Sequence, residues 1–206
     1  MRRVLLGLGL ALATLLVLGW LTSEVVEGDT LRFDEAVRTW VHAHSSDALT
    51  AVMQAASILG SPGVLGPAAF VIFFLLLRIG WRREAWLFLV ALLGALVLEQ
   101  IMKLGFHRAR PAAFFGIPAP SSYSYPSGHA LFAVCFFGTL AWILAARRYS
   151  RMARAALWSG AIVIAGLIGY SRIYLGVHYP TDVIAGYASA LVWLTVLEAG
   201  GRWRVR

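Results

Sequence analysis

The chain has 206 residues, 60% of them hydrophobic and 14% charged, whereas soluble domains run at about half apolar and a quarter charged. That imbalance excludes a water-soluble globular domain and leaves room for one membrane-embedded domain, residues 1–206. The net charge of +8 would suit nucleic acid, but the basic residues fall in short clusters between apolar runs, the pattern of membrane topology.

In chain order, Arg2 and Arg3 precede the apolar run 4–21. The run is longer than a signal-peptide core and no A-x-A site follows it, so a retained first membrane helix is expected. The acidic stretch from Thr22 to Ser61 is too long for a plain turn. Phe33 to Val41 and Ala48 to Met53 alternate apolar and polar residues at helical spacing, which predicts one or two short amphipathic helices lying on the membrane surface. Five further runs, 62–79, 85–102, 129–146, 154–171 and 181–199, are each long enough to span a bilayer. The expected fold is all-α, an integral membrane six-helix bundle with short amphipathic helices in its first outer loop. Cys135 lies inside an apolar run and reads as a core residue, so no disulfide framework exists.

Charge orients the bundle. Arg2, Arg3, Arg78, Arg82, Arg83, Arg147, Arg148, Arg151, Arg154, Arg202, Arg204 and Arg206 fall on one face, twelve of the 18 Lys and Arg. By the positive-inside rule that face is cytoplasmic, and both termini with it. Arg32 and Arg38 sit in the acidic outer loop, where solvated pairing accounts for them. Lys103, Arg108, Arg110 and Arg172 run against the orientation signal at the mouths of two outer connections. Anion binding explains them.

Three clusters on that face carry the chemistry. Lys103 and Arg110, with Pro111 holding Arg110 extended, bring a point charge and a planar fork toward one anion; a snorkelling interface cluster would look the same. Pro126-Ser127-Gly128-His129 opens a helix, with Ser127 as N-cap and Gly128 permitting close backbone approach. Free N–H groups and the dipole favour an anion there, although a merely capped helix shares the pattern. Arg172 precedes His178 and Asp182, which stand four apart where Pro180 starts the last helix. That spacing permits a hydrogen bond fixing the imidazole tautomer, or a purely structural pair.

Together, Lys103 to Pro111 (K-x6-R-P), Pro126 to His129 (P-S-G-H) and Ser171 to Asp182 (S-R-x5-H-x3-D) resemble the phosphatidic acid phosphatase type 2 superfamily, whose fold is shared with vanadium haloperoxidases. The resemblance implies a lipid phosphate phosphatase with His178 as nucleophile, Asp182 orienting it and His129 as general acid. It assigns Lys103, Arg110, Ser127, Gly128 and Arg172 to the phosphate, with no metal and no cofactor. It further implies a multi-pass protein of the cytoplasmic membrane with its site on the extracytoplasmic face. The partners would be the lipid substrate and the bilayer, not nucleic acid; oligomeric state is left open. Undecaprenyl diphosphate, phosphatidylglycerol phosphate, phosphatidate and lipid A phosphate are the substrates this branch suggests. A phosphotransferase with an alcohol acceptor would use the same motifs. A serine hydrolase would need a G-x-S-x-G elbow, and a transporter would carry its charges at the midplane.

Outside the motifs, Glu99 is expected to pair with Lys103 one turn away, and Arg108 to snorkel or to guide an anionic head group. His42 and His44 read as solvated. Trp20, Trp81, Trp86, Trp142, Trp158 and Trp203 read as interface anchors.

Overall fold

The computed structural model describes residues 2–118, 120–147 and 149–199, apart from the side chains at 2–8, 10 and 11. The expected cytoplasmic residues Arg148, Arg202, Arg204 and Arg206, together with Trp203, lie outside that range, as do the side chains of Arg2 and Arg3.

Every regular element among the described residues is helical. In order they are α1 (Arg2–Glu27), α2 (Leu31–Ala43), α3 (Asp47–Leu59), α4 (Pro62–Arg78) and α5 (Arg82–Phe106). There follow α6 (Gly128–Ala133), a π-helical turn (Val134–Gly138), α7 (Thr139–Ala145), α8 (Arg151–Tyr174) and α9 (Pro180–Ala199). Four stretches among the described residues are long and apolar enough to cross a membrane: α5, the continuous Gly128–Ala145, α8 and α9. The pair α3–α4, bent by 47°, makes a fifth if it counts as one span. The chain is therefore an all-helical, multi-pass membrane protein. The expected first span falls on the 26-residue α1.

The helix starting at Gly128 is the centre of the bundle. Ala130, Leu131, Ala133 and Cys135 are fully buried, and α5, α8 and α9 pack around them. Small residues let the neighbours close in, as they do between membrane helices generally. A Cβ on Gly186 of α9 would stand 2.6 Å from the Ser127 carbonyl oxygen, so only glycine permits this approach. Gly94 of α5 leaves room for the Trp193 indole, whose Nε1 donates to the Ala91 carbonyl at 2.9 Å. Large apolar side chains such as Phe70, Ile101, Leu104 and Ile162 point outward, away from the protein interior and toward lipid.

Charge separates the two ends. The α4–α5 and α7–α8 turns share one end, where Arg147 donates to Glu84 at 2.8 Å and lies 3.6 Å over the Trp81 ring. Trp81 thus turns inward, whereas Trp20, Trp86 and Trp158 are exposed as anchors should be. At the opposite end meet the last turns of α5 and α8 and the first turns of α6 and α9. The end of α1 joins them, with Thr22 Oγ1 and Tyr125 OH 2.7 Å apart.

The first outer loop contains the two expected short helices, and α2 is amphipathic with its polar face turned into the protein. Its buried side chains are Asp34, Arg38 and Val41, while Phe33 and Trp40 are exposed. The expected solvated pairing of Arg38 is corrected accordingly. Arg38 is 3% exposed; it pairs with Glu35 at 2.7 Å and donates to the Ala112 carbonyl at 2.7 Å. The charged residues face inward because the neighbouring interior is a polar site. His42 is not simply solvated either. It stacks on Phe114 with ring centroids 4.0 Å apart.

Candidate functional site: a cationic cradle around a buried imidazole

His178 lies in the tight connection between α8 and α9, 1% exposed. Gly176, at φ +75°, makes the turn possible; a Cβ there would also strike the Phe114 ring at 2.6 Å. The backbone N–H groups of Val177 and His178 both donate to the Arg172 carbonyl, at 3.1 and 3.3 Å. The nucleophile candidate is thereby fixed to the end of α8.

Its two ring nitrogens have different partners. Nε2 lies 2.9 Å from Arg110 Nη1. Guanidinium nitrogens only donate, so Nε2 must be the bare acceptor and Nδ1 must carry the proton in the neutral ring. Nδ1 faces Asp182 Oδ2 at 3.3 Å, the contact expected from the four-residue spacing, and Ser124 Oγ at 3.4 Å. Burial, helped by the charges of Arg110 and Arg172 and opposed by Asp182, pulls the His178 pKa down to about 4. The imidazole is therefore neutral at physiological pH, with a lone pair directed at the cations.

Asp182 is completely buried in the first turn of α9. It accepts from Ser124 Oγ at 2.5 Å, from the Tyr179 N–H at 2.9 Å and from Arg108 Nη1 at 2.6 Å. Arg108 reaches on to Asp34 Oδ2 at 2.7 Å. Asp34 also accepts from the Thr181 N–H at 3.0 Å and the Thr181 hydroxyl at 2.7 Å. The expectation that Arg108 snorkels or guides substrate is corrected: it is clamped between two buried carboxylates and stacked 4.2 Å from the Tyr179 ring.

The cations converge on the same point. Arg110 donates through Nε to the Ser122 carbonyl at 2.6 Å and through Nη2 to Ser122 Oγ at 3.0 Å. Lys103 Nζ reaches that hydroxyl at 3.4 Å while paired with Glu99 at 2.8 Å, as the one-turn spacing predicted. Arg172 donates to Ser57 Oγ from α3, and its buried Nε has no partner. His129 lies near the Arg172, Arg110 and Lys103 cations and the His178 ring. All eight residues singled out from the motifs thus share one site.

Two local expectations change. Ser127 occupies the N-cap position of α6, yet its side chain caps nothing; its buried Oγ has no partner. Gly128 is required for helix packing, because a Cβ there would overlap the Glu99 carboxylate. Ser127 Oγ and Arg172 Nε, both buried and without a partner, stand with Arg110, Lys103 and the first turn of α6, a set of donors and positive charge chemically suited to an oxyanion. Among the described residues no three His, Cys, Asp or Glu side chains gather as a metal-ligand set.

The residues missed in the sequence are Ser124, Thr181 and Asp34. Ser124 and Thr181 sit beside the motifs without a pattern of their own. Asp34 did leave a trace, since it stands four residues before Arg38 and seven before Val41, on a single helical face.

The family model for the PAP2 superfamily matches residues 84–205, more than half of the chain. The chain belongs to the PAP2 superfamily. It is 36% identical over 109 residues to an undecaprenyl-diphosphatase of Sulfolobus acidocaldarius, covering 50% of this chain and 48% of that protein. It is also 36% identical over 97 residues to phosphatidylglycerophosphatase B of Bacillus subtilis, 47% of each. The chain thus spans about half the length of these two curated relatives. A decaprenylphosphoryl-5-phosphoribose phosphatase of Mycobacterium tuberculosis is 33% identical over 171 residues, 73% of this chain and 89% of that one. The PAP2 fold extends across the chain. The crystal structure of a transmembrane PAP2-type phosphatidylglycerolphosphate phosphatase from Bacillus subtilis superposes with a TM-score of 0.85 at 27% identity, covering 95% of this chain and 98% of that one.

Proposed function

We propose that this protein hydrolyses a phosphomonoester or diphosphate bond of a membrane lipid phosphate, without a metal, through a phosphohistidine on His178. Undecaprenyl diphosphate, phosphatidylglycerol phosphate and phosphatidate are the substrate classes, as the names of the relatives suggest. The reading rests on one observation above the others: His178 presents a bare, buried Nε2 to Arg110 at 2.9 Å.

In this reading the phosphoryl group takes the position between Nε2 and the cations. Its oxygens accept the N–H donors that Arg110 now directs at the ring, together with Lys103, Arg172, the Ser127 hydroxyl and the amides at Gly128. Nε2 attacks phosphorus in line, the P–O bond breaks, and His129, entering as the imidazolium that the bound phosphate dianion favours, delivers its proton to the departing oxygen. The new N–P bond leaves the ring cationic, and Asp182 stabilises that charge through Nδ1–H. Water then attacks phosphorus, giving its proton to His129, and the N–P bond breaks to release inorganic phosphate. Phosphoryl transfer needs charge stabilisation and alignment above all. Three cations provide the first, and the clamp on His178 provides the second.

The proposed topology has six membrane helices, counting α1 and α4, with both termini cytoplasmic. The arginine-rich end of the bundle supports that orientation by the positive-inside rule, and in this reading the site opens to the extracytoplasmic face of the cell membrane.

The test is release of inorganic phosphate by purified protein in detergent with EDTA, across a panel of lipid phosphates and diphosphates. We expect release from at least one lipid, unaffected by chelator and inhibited by vanadate, which imitates the trigonal-bipyramidal phosphoryl group. Release abolished by EDTA would contradict metal independence. Release that depends on an added alcohol would identify a phosphotransferase instead.

A further inference from the structure

Asp182 does not face His178 alone. Behind it Arg108 is held between Asp182 at 2.6 Å and Asp34 at 2.7 Å, and Thr181 ties Asp34 to the first turn of α9 through its N–H and its hydroxyl. Asp34 and Asp182 are each 0% exposed. A charge cluster this deep in the protein is poorly screened by salt or solvent. Counted together, two carboxylates and one guanidinium leave one net negative charge behind Nδ1.

We infer that Asp34 and Arg108 are positioning residues that act through Asp182 to set how readily His178 takes on positive charge. Neither belongs to the phosphate cradle; both lie on the far side of Asp182 from Nε2. The inference rests on the phosphohistidine reading, since that step makes the ring cationic. The other groups facing His178 are Arg110 and Ser124 from the α5–α6 connection, Arg172 from α8, and His129 from α6 with Lys103 beyond it. Apart from Ser124 and the Glu99 carboxylate paired with Lys103, these are histidine or cationic, so Asp182 is what favours the imidazolium directly, with Asp34 and Arg108 behind it. Helix α2, which contributes nothing to the phosphate site, thereby acquires a role in the chemistry. That role accounts for the burial of an acid in a helix whose aromatic residues face outward.

The charge count makes the test sharp. Asp34→Asn removes one negative charge, favours the neutral ring and moves the His178 titration to lower pH. Arg108→Gln removes the positive charge, favours the imidazolium and moves it to higher pH. The double variant restores the original sum. The readout is the imidazole titration of ¹⁵N-histidine-labelled protein in micelles, with His178 identified by its loss in His178→Ala. Wild type is expected to titrate near 4, where the surrounding burial and charges hold it. Arg108→Gln should lie roughly one pH unit higher and Asp34→Asn roughly one lower, with the double variant back at wild type. An order of Asp34→Asn, then wild type with the double variant, then Arg108→Gln supports the inference. A common titration in all four, or a double variant that fails to return, overturns it. Asp34→Asn is isosteric, so an unshifted titration in that variant alone is also decisive.

Kinetics give a second readout. Asp34→Asn should lower kcat by about 10–100-fold with KM unchanged, as loss of a supporting hydrogen-bond partner commonly does. Asp34→Glu should recover part of it. A change in KM alone would overturn the assignment. If wild type turns over no lipid phosphate, the functional proposal fails while the titration still decides this one.

Discussion

His178→Ala is expected to abolish phosphate release, by at least about 10⁴-fold, while the bundle stays folded. The scale follows from what remains. Lys103, Arg110 and Arg172 would still hold a phosphate, but no side chain in the cradle replaces the bare Nε2 as nucleophile. Lipid binding should therefore persist when turnover is gone. The fold has little reason to fail. Gly176 and the two backbone bonds to the Arg172 carbonyl shape the α8–α9 connection, and the Arg108 clamp does not involve the ring. Phosphate release and lipid binding measured on the same preparation check this. A variant that binds and hydrolyses normally would remove His178 from the mechanism.

Asp182→Asn should slow turnover on the order of 10³–10⁴-fold, more than any change outside the cradle apart from loss of His178. Asp182 takes four donors: Ser124 Oγ, the Tyr179 N–H, Arg108 and His178 Nδ1. An amide has one oxygen and two N–H groups, so at least one of these donors would face another donor. If that is Nδ1–H, the ring turns to its other tautomer and Nε2 is no longer bare. If it is Arg108, that cation keeps only Asp34. A buried unsatisfied donor costs about 1–3 kcal/mol, enough to lower the melting temperature but not to unfold a bundle of this size. Turnover should fall far more than stability, and a parallel measurement of kcat and melting temperature tests that separation. An equal loss of both would make Asp182 structural.

The candidate site was legible in the sequence because its residues occupy short motifs with fixed local geometry. Pro180 does start the last helix, His178 and Asp182 do meet one turn apart, and Glu99 does pair with Lys103. The Arg108 clamp was not legible. Its two carboxylates stand 148 positions apart in the chain, at Asp34 and Asp182, and nothing local links an acid in α2 to one in the first turn of α9. The amphipathic pattern in α2 was visible, but not that its polar face, with Asp34 and Arg38, would turn into the protein. Gly128 shows a similar limit: sequence reasoning saw an opening for ligand, whereas its hydrogen also accommodates the Glu99 carboxylate. Four spans among the described residues were legible from length and apolarity, which say nothing of the bend between α3 and α4.

The most direct test of the central claim is to trap the intermediate. Enzyme would be mixed with a ³²P-labelled lipid phosphate that it hydrolyses, quenched in alkali within a turnover, and digested for mapping. The account predicts label on His178, stable to alkali and lost in acid, and none on His178→Ala. Protein that hydrolyses the lipid yet carries no label in the pre-steady state, or carries it on Ser127, would contradict it.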